Sequence, residues 1–117
     1  MALILIIVKK YRGVISQQIS LFQVDDFDKA FTFASPSIKN IFGTPNNFGK
    51  MVRRGFPMVW RTKGVDYLEL SLVGDALVQR VMITDKIGEI FILNYIMVET
   101  NKGWKIRGVI IDQRPFT

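Results

Sequence analysis

The hydrophobic period of this chain changes at Pro57, and that change limits the folds open to it. Before Pro57, apolar residues recur at helical spacing, as Ile15, Ile19 and Phe22 do at i, i+4 and i+7. After Pro57, segments rich in valine, isoleucine, leucine and aromatic residues alternate with turn residues, which is typical of strands. Helices followed by strands within 117 residues predict one α+β domain.

Helix start signals divide the first half into four predicted helices. The first covers residues 14–24, and Asp25 or Asp26 caps the second. The third and fourth each begin with a hydroxyl side chain followed by proline, at residues 35–36 and 44–45. Proline suits the first helical position because the N–H that it lacks would be unpaired there. The stop signals that follow are Gly43, Gly55 and Pro57.

The second half contains five candidate strands. They cover residues 58–62, 65–73, 76–85, 89–99 and 104–113. The segments between them are short and contain glycine, aspartate or asparagine, which favours tight turns. Tight turns join antiparallel neighbours, so the sequence predicts an antiparallel meander.

The turn after the strand at 76–85 decides which side chains share a face of the sheet. A two-residue turn at Ile87-Gly88 predicts that Arg80 and Met82 lie beside Phe91 and Tyr95. The opposite face then carries isoleucines of both strands, namely Ile83, Ile92 and Ile96. With 49% apolar residues in the whole chain, both faces need a cover. We expect helices on one face and a second subunit on the other.

Residues 1–13 form a separate apolar arm before a domain at 14–117. Its run from Ala2 to Val8 is seven residues, far short of the roughly 20 needed to cross a bilayer. An export signal carries its positive charge before the apolar run, whereas Lys9 and Lys10 follow it here. The sequence favours an arm packed on the domain or on a second subunit. A truncated export signal is the alternative, so the compartment stays open between cytoplasmic and exported.

The residue types that are missing exclude several classes of function. The chain contains no cysteine and no histidine. Zinc, copper and haem sites draw on these side chains, so we expect no metal site and no cofactor. Ser–His and Cys–His catalysis are excluded because their general base is absent. Acid–base chemistry would have to use aspartate, glutamate, lysine or tyrosine.

Several segments of the chain are similar to a known family. They are the run FASPSIKNIFGTPNNFGKMVRRGFPMVW at 33–60, LVQRVMITD at 77–85 and WKIRGV at 104–109. In this order they resemble the domain of unknown function 4864, a family that looks like part of the NTF2-like (SnoaL-like) superfamily. The resemblance implies a cone, in which helices lie across a strongly curved antiparallel sheet and enclose a cavity. It implies no catalytic residue, because the family has no established activity.

Five side chains are candidates for the wall of such a cavity: Trp60, Arg80, Met82, Phe91 and Tyr95. A half-buried guanidinium needs an acceptor, which a ligand could provide. The more ordinary alternative for Arg80 is a partner within the protein, such as Glu99, Asp66 or a backbone carbonyl. The more ordinary alternative for Trp60 is a position in the core.

Charged clusters elsewhere have structural explanations. Asp85 fits turn chemistry, and Asp25, Asp26 and Asp28 fit helix capping, because the spacing of a calcium loop is absent. The basic residues Lys50, Arg53 and Arg54 lie at i, i+3 and i+4 and could contact phosphate. No nucleic-acid motif accompanies them, so a solvated helix face and no nucleic-acid partner are expected.

Three functions follow as expectations. The first is a non-catalytic homodimeric module that binds a small apolar or anionic ligand, or that is structural only. The second is a small lyase or isomerase that uses aspartate or tyrosine with Arg80 as an electrostatic stabiliser. The third is an exported interaction module. The first and second differ in whether carboxylates or tyrosines converge in the cavity.

Overall fold

A computed structural model describes residues 2–113 as five helices followed by a four-stranded sheet. The α+β class is therefore confirmed. The helices are α1 (Ala2–Gln23), α2 (Phe27–Phe31), α3 (Pro36–Phe42), α4 (Pro45–Gly55) and α5 (Pro57–Trp60). The strands are β1 (Thr62–Val73), β2 (Ala76–Asp85), β3 (Ile90–Thr100) and β4 (Gly103–Ile111).

Side-chain caps begin the middle helices, as the sequence predicts. Asp26 accepts a hydrogen bond from the amide of Lys29 at the start of α2. The hydroxyls of Ser35 and Thr44 do the same for α3 and α4, each with proline at the next position. These bonds satisfy amide donors that have no carbonyl partner inside the helix. The bounds of α3 and α4 agree with the predicted start and stop signals.

Two parts of the first half differ from the sequence prediction. Helix α1 begins at Ala2, so it continues through the expected boundary between residues 13 and 14. The predicted strand at 58–62 is mostly α5, in which Val59 and Trp60 donate to the carbonyl of Phe56. Pro57 at the first helical position explains this turn, since its fixed φ suits a helix start. The predicted strands at 58–62 and 65–73 therefore give one strand, β1.

The sheet is an antiparallel meander with the order β1-β2-β3-β4. Its pairing shifts at three places, within β1 near Thr62 and near Tyr67, and between β3 and β4 at Ile96 and Met97. Such irregularities bend and twist a sheet. The helices pack on one face of this curved sheet, called here the inner face. Its central side chains are Gln79, Val81, Ile83, Leu93, Tyr95 and Met97.

The register between β2 and β3 contradicts the predicted one. Thr84 pairs with Ile90, and Asp85 pairs with Glu89 through a hydrogen bond from the Asp85 amide. The loop is therefore Lys86-Ile87-Gly88, with Gly88 at φ 90° in the left-handed region. One more loop residue than expected exchanges the faces of one strand relative to the other.

Arg80 consequently lies opposite Asn94, on the face away from the helices, called here the outer face. The prediction that Arg80 lies beside Tyr95 is wrong. Ile83 also changes sides: it is fully buried on the inner face, while Ile92 and Ile96 lie on the outer face. Of the three isoleucines that were predicted to share a face, Ile83 therefore lies on the opposite face from the other two.

Helix α1 supplies the largest contribution to the core over the inner face. Tyr11, Ile15, Ile19 and Phe22 are buried along one side of it. The hydroxyl of Tyr11 donates to Gln79 on β2 at 2.7 Å. This bond joins the helix to the sheet at a point where an unpaired polar atom would be costly.

Candidate functional site

The candidate site is a cavity between the helices and the inner face. Its volume is about 220 Å³. That size lies between an apolar cavity of about 150 Å³, which holds benzene, and the ligand pockets of about 300 Å³ and above. The residues that line it come from every helix except α2, from two segments between helices and from the two last strands: Gln18, Phe22, Ala34, Ile38, Phe42, Phe48, Met51, Val52, Phe56, Val59, Tyr95, Ile106, Gly108 and Val109.

Aromatic rings form the helical wall of this cavity. Phe48 on α4 lies at the centre, with its ring 6.0 Å from that of Phe22 and 6.1 Å from that of Phe42. Phe31 packs on it from behind at 5.2 Å. Contacts between rings at these distances add to the stabilisation that burial provides. Ile38, Phe42, Met51 and Phe56 are partly exposed and mark the mouth.

Helix α4 can approach α2 closely because residue 49 is glycine. A Cβ built on Gly49 would come within 2.9 Å of the Phe27 ring on α2. Any larger side chain would therefore push α4 away from α2 and move Phe48. Gly49 thus belongs to the positioning of the aromatic wall.

Two polar side chains line the otherwise apolar cavity. Tyr95 on β3 is 1% exposed, and its hydroxyl makes no hydrogen bond within residues 2–113. Gln18 on α1 is also buried, and its amide nitrogen donates to the carbonyl of Ala30 at 3.2 Å. Its Oε1 has no hydrogen-bond donor among the described residues. The cavity therefore offers a phenol donor and an amide acceptor to a ligand.

Burial raises the pKa of Tyr95, with a smaller contribution in the same direction from Tyr67. The phenol is therefore protonated throughout the physiological range and can donate a hydrogen bond. A raised pKa also makes it a poor acid. No aspartate, glutamate, lysine or arginine is among the described residues that line the cavity.

Tyr95 is the one predicted site residue that lines the cavity. Phe91 lies on the inner face, where it packs against the core outside the cavity. Met82 lies with Arg80 on the outer face, because Met82 pairs with Ile92. Trp60, at the end of α5, is half-buried and packs against the core outside the cavity.

Arg80 binds internal carboxylates on the outer face, the ordinary alternative that the sequence left open. Its Nη1 lies 3.2 Å from Glu69, and its Nη2 lies 3.4 Å from Asp112, which is almost fully buried. The expected partners Glu99 and Asp66 are not the ones it binds. Its Nε is buried without a hydrogen-bond partner among residues 2–113.

Trp60 belongs to a polar cluster at the start of the sheet. Its indole N–H donates to Asp25 at 2.8 Å, and the Arg61 guanidinium lies 4.3 Å above its ring. Arg61 also binds both carboxylate oxygens of Asp25. The hydrogen bonds from Trp60 and then from Arg61 hold the pKa of Asp25 below its usual value. These groups satisfy one another, so the cluster fixes the chain between α1 and β1.

Asp85 and the predicted basic patch lie outside the cavity. Asp85 accepts from the amides of Ile87 and Glu89, which confirms the turn interpretation. In the predicted basic patch, Arg53 lies over the Phe27 ring, and Lys50 and Arg54 are exposed. Within residues 2–113, no group of acidic side chains is arranged to hold a metal ion.

Sequence reasoning missed Gln18 and most of the aromatic wall. Gln18 gave a usable signal: it interrupts the apolar side of α1 between Ile15 and Phe22. A polar residue within an apolar helix stripe is either paired or available to a ligand. Phe42 and Phe48 resembled ordinary core residues, and only the packing of α3 on α4 puts them around a cavity.

The fold and the cavity define an α+β domain with a neutral, aromatic-walled cavity. The chain belongs to the family described as a domain of unknown function (DUF4864), whose model matches residues 8–116. No curated protein and no solved structure matches it. Among the described helices, none is both long enough and apolar enough to cross a membrane.

Proposed function

We propose that this protein is a non-catalytic module that binds a small, neutral and largely apolar ligand in the cavity. The observation that carries the proposal is the Tyr95 hydroxyl, which belongs to a buried side chain on an apolar cavity wall and has no hydrogen-bond partner among residues 2–113. A hydrogen bond from this hydroxyl to a ligand oxygen would contribute about 0.5–1.5 kcal/mol to binding. A molecule of one or two rings, or a short acyl chain, with one carbonyl or hydroxyl group fits the volume of about 220 Å³.

A neutral ligand is favoured over an anionic one. No lysine or arginine is among the described residues around the cavity, so a carboxylate would lose its hydration without gaining a cation. The lyase or isomerase alternative is disfavoured for a related reason. No aspartate or glutamate is among those residues, and Tyr95 alone is a weak acid whose pKa is raised further.

The superfamily is proposed on the same architecture. Helices precede a curved antiparallel meander, and the cavity lies between the two layers. These features support an NTF2-like cone. Fold alone gives no activity in such a superfamily, so the ligand must be tested directly.

The test compares three naphthalenes at pH 7 by fluorescence titration. Naphthalene measures the contribution of apolar contacts to binding. The same rings carry a neutral hydroxyl group in 2-naphthol and a negatively charged carboxylate in 2-naphthoate. We expect 2-naphthol to bind best and 2-naphthoate at least about tenfold more weakly, since a buried unpaired charge is costly. Tyr95→Phe should weaken 2-naphthol by about 2- to 12-fold and leave naphthalene unchanged.

Two variants locate the binding. Met51→Trp should block the mouth and abolish binding of naphthalene and 2-naphthol, whereas Arg54→Trp, on the exposed side of the same helix, should not. Tyr67→Phe is the control for the hydroxyl, because Tyr67 is bonded to Ser16 and Arg12 outside the cavity. Tightest binding of 2-naphthoate, or no binding of any of the three, would contradict the proposal.

A homodimer through the outer face is the second part of the proposal. Its support is an apolar surface that no described helix covers, with the side chains Val78, Met82, Ile90, Ile96, Val98 and Ile110. Arg80 and Glu69 lie on the same face, so two copies could present opposite charges across a two-fold axis.

Light scattering tests the dimer. We expect twice the 13.4 kDa of the chain, and the chain mass alone for a variant with Ile96→Lys and Ile110→Lys. Ile41→Lys on α3, where the side chain is 71% exposed, is the control and should leave the dimer intact. A wild-type mass of 13.4 kDa at micromolar concentration would exclude the dimer.

A further inference from the structure

The first turn and a half of α1 lies outside the core. Residues 2–6, called here the α1 tip, include Leu3, Ile4, Leu5 and Ile6, whose exposure runs from 69% at Leu3 to 50% at Ile6. Packing on the core begins with Ile7 and Val8 and is complete at Tyr11. Four large apolar side chains therefore remain exposed at one end of a helix whose other end is buried.

The α1 tip is apolar on all of its sides. Consecutive residues of a helix point about 100° apart, so Leu3 to Ile6 cover almost the whole circumference. A groove on a protein partner contacts one side of a helix and selects residues at i, i+3 and i+4. A layer of lipid chains surrounds a helix end and accepts apolar side chains in every direction. The distribution therefore fits lipid better than a second protein surface.

Two positive charges follow the α1 tip at a suitable depth. Lys9 and Lys10 are exposed, and they lie about 7–9 Å along the helix from Ile4, at ~1.5 Å per residue. This matches the depth of about 5–10 Å to which interfacial helices bury their apolar residues. Arg12 is excluded from this pair, because it stacks on Tyr67 and donates to Gln79. The net charge of +6 acts in the same direction toward an anionic surface.

We propose that the α1 tip inserts into one leaflet of an anionic membrane, with Lys9 and Lys10 among the lipid headgroups. Residues 2–8 extend about 10 Å, which reaches the acyl chains of one leaflet. The domain then lies at the membrane surface. This interaction is independent of the cavity and of any ligand in it.

Vesicle flotation of the full chain tests the proposal. We expect the wild type to float with vesicles of phosphatidylcholine containing 30% phosphatidylglycerol, and to bind vesicles of phosphatidylcholine alone at least tenfold more weakly. Changing Leu3, Ile4, Leu5 and Ile6 together to glutamine should abolish binding to both. Glutamine is a good helix former and these side chains are exposed, so the melting temperature should be unchanged.

Two further sets of variants separate charge from apolar surface. Lys9→Gln with Lys10→Gln should weaken binding to anionic vesicles by about 10- to 30-fold, since each lysine near such a surface contributes about 1 kcal/mol. The matched control changes Ile41 and Ile87 to glutamine, because these are exposed by 71% and 83% on other parts of the surface. This control should bind as the wild type does.

A fluorescent probe reports the depth of insertion. The chain has no cysteine, so Leu5→Cys provides a unique attachment point for an environment-sensitive dye. We expect a blue shift on adding anionic vesicles, and quenching by lipids brominated on their acyl chains. Three results would overturn the proposal: no flotation at low salt, equal flotation of the four-glutamine variant, or loss of a dimer in that variant without lipid, which would assign the α1 tip to a second copy.

Discussion

The two faces of the sheet are built from the same strands, and both carry branched apolar side chains, yet their surroundings differ. The inner face is covered by α1 and α5 at one side and by the aromatic wall at the other, and the cavity lies between this wall and the sheet. The outer face has no described helix over it, and it contains the charged pair Arg80 and Glu69. Apolar composition alone therefore does not tell a core face from an association face.

The difference between the faces arises from one loop residue. If the loop Lys86-Ile87-Gly88 contained one residue fewer, the register would shift by one. Every side chain of β2 would then lie on the opposite face of the sheet relative to β3. Arg80 would then point into the core, and Gln79 would point out. The length of this loop, in which Asp85 accepts from the amides of Ile87 and Glu89, therefore goes with Gln79 rather than Arg80 on the inner face.

The largest expected difference between the faces comes from truncating one isoleucine on each. Ile83→Ala on the inner face should cost about 2–5 kcal/mol in the free energy of unfolding, because it leaves a cavity in a closed core. Ile110→Ala on the outer face, where the side chain is 55% exposed in the single chain, should change it by less than about 0.5 kcal/mol at concentrations low enough for the chain to be monomeric.

Urea unfolding followed by the fluorescence of the two tryptophans measures both. The measurement at two protein concentrations sharpens the comparison, because a loss for Ile110→Ala that grows with concentration would indicate that the outer face is covered in a dimer. Equal, concentration-independent losses for both variants would break the distinction between the faces.

Gln79 gives the second expected effect, on the inner face. Its side chain is fully buried, accepts from Tyr11, and donates to the carbonyls of Leu68 and Arg80 at 2.9 and 2.8 Å. It therefore provides hydrogen bonds to backbone carbonyls at the place where the pairing of β1 with β2 is irregular. Gln79→Met should cost about 1–3 kcal/mol, because the partners are left unpaired. Gln17→Met, at an exposed position of α1, is the control. A neutral Gln79→Met would mean that water replaces these bonds.

Arg80→Met should have a smaller effect, because the guanidinium is about one-third exposed. We expect a loss of about 1–2 kcal/mol, which combines a weak pair with exposed Glu69 and a stronger contact with buried Asp112. Arg54→Met is the exposed control, and urea unfolding is the measurement. A gain in stability would mean that the desolvation of Arg80 outweighs its pairs, and a loss above about 3 kcal/mol would mean that the outer face is drier than its exposure indicates.

The smallest expected effect is on the pH dependence of stability, and it arises from a surface carboxylate rather than from a residue of the cavity. Asp25 has a pKa held below its ordinary value of 3.8, so its contribution to stability is present above that value and is lost as pH falls through the lower, folded pKa. Asp25→Asn should therefore lower the melting temperature at pH 7, and the gap from the wild type should close below about pH 4.

Tyr95→Phe serves as the control from the cavity. Because burial raises the pKa of Tyr95, this variant should show the same acid profile as the wild type. Thermal melts between pH 2 and pH 7 compare the three proteins. A gap for Asp25→Asn that persists at the acid end would show that Asp25 acts through geometry rather than charge.

Much of the fold follows from local signals. The caps at Asp26, Ser35 and Thr44 and the stop at Gly43 each depend on bonds within a few residues, so they can be found in the sequence alone. The strands and their order follow equally, since tight turns leave antiparallel neighbours as the only connection. The short helix α5 was missed because four residues carry too little periodicity to outweigh the β-branched Val59 beside Trp60.

What the tertiary structure decided is which of these residues meet. A two-residue and a three-residue loop both suit the segment 85–89, and only the packed sheet selects the one that buries Gln79, Val81 and Ile83 under α1. The partners of Arg80 likewise come from β1 and from the segment after β4, at sequence separations that no local pattern encodes. The sequence proposed Tyr95 as a site residue because Arg80 was expected beside it, and Arg80 lies on the other face. Tyr95 lines the cavity because side chains alternate between the two faces of a strand and the helices cover one of these faces.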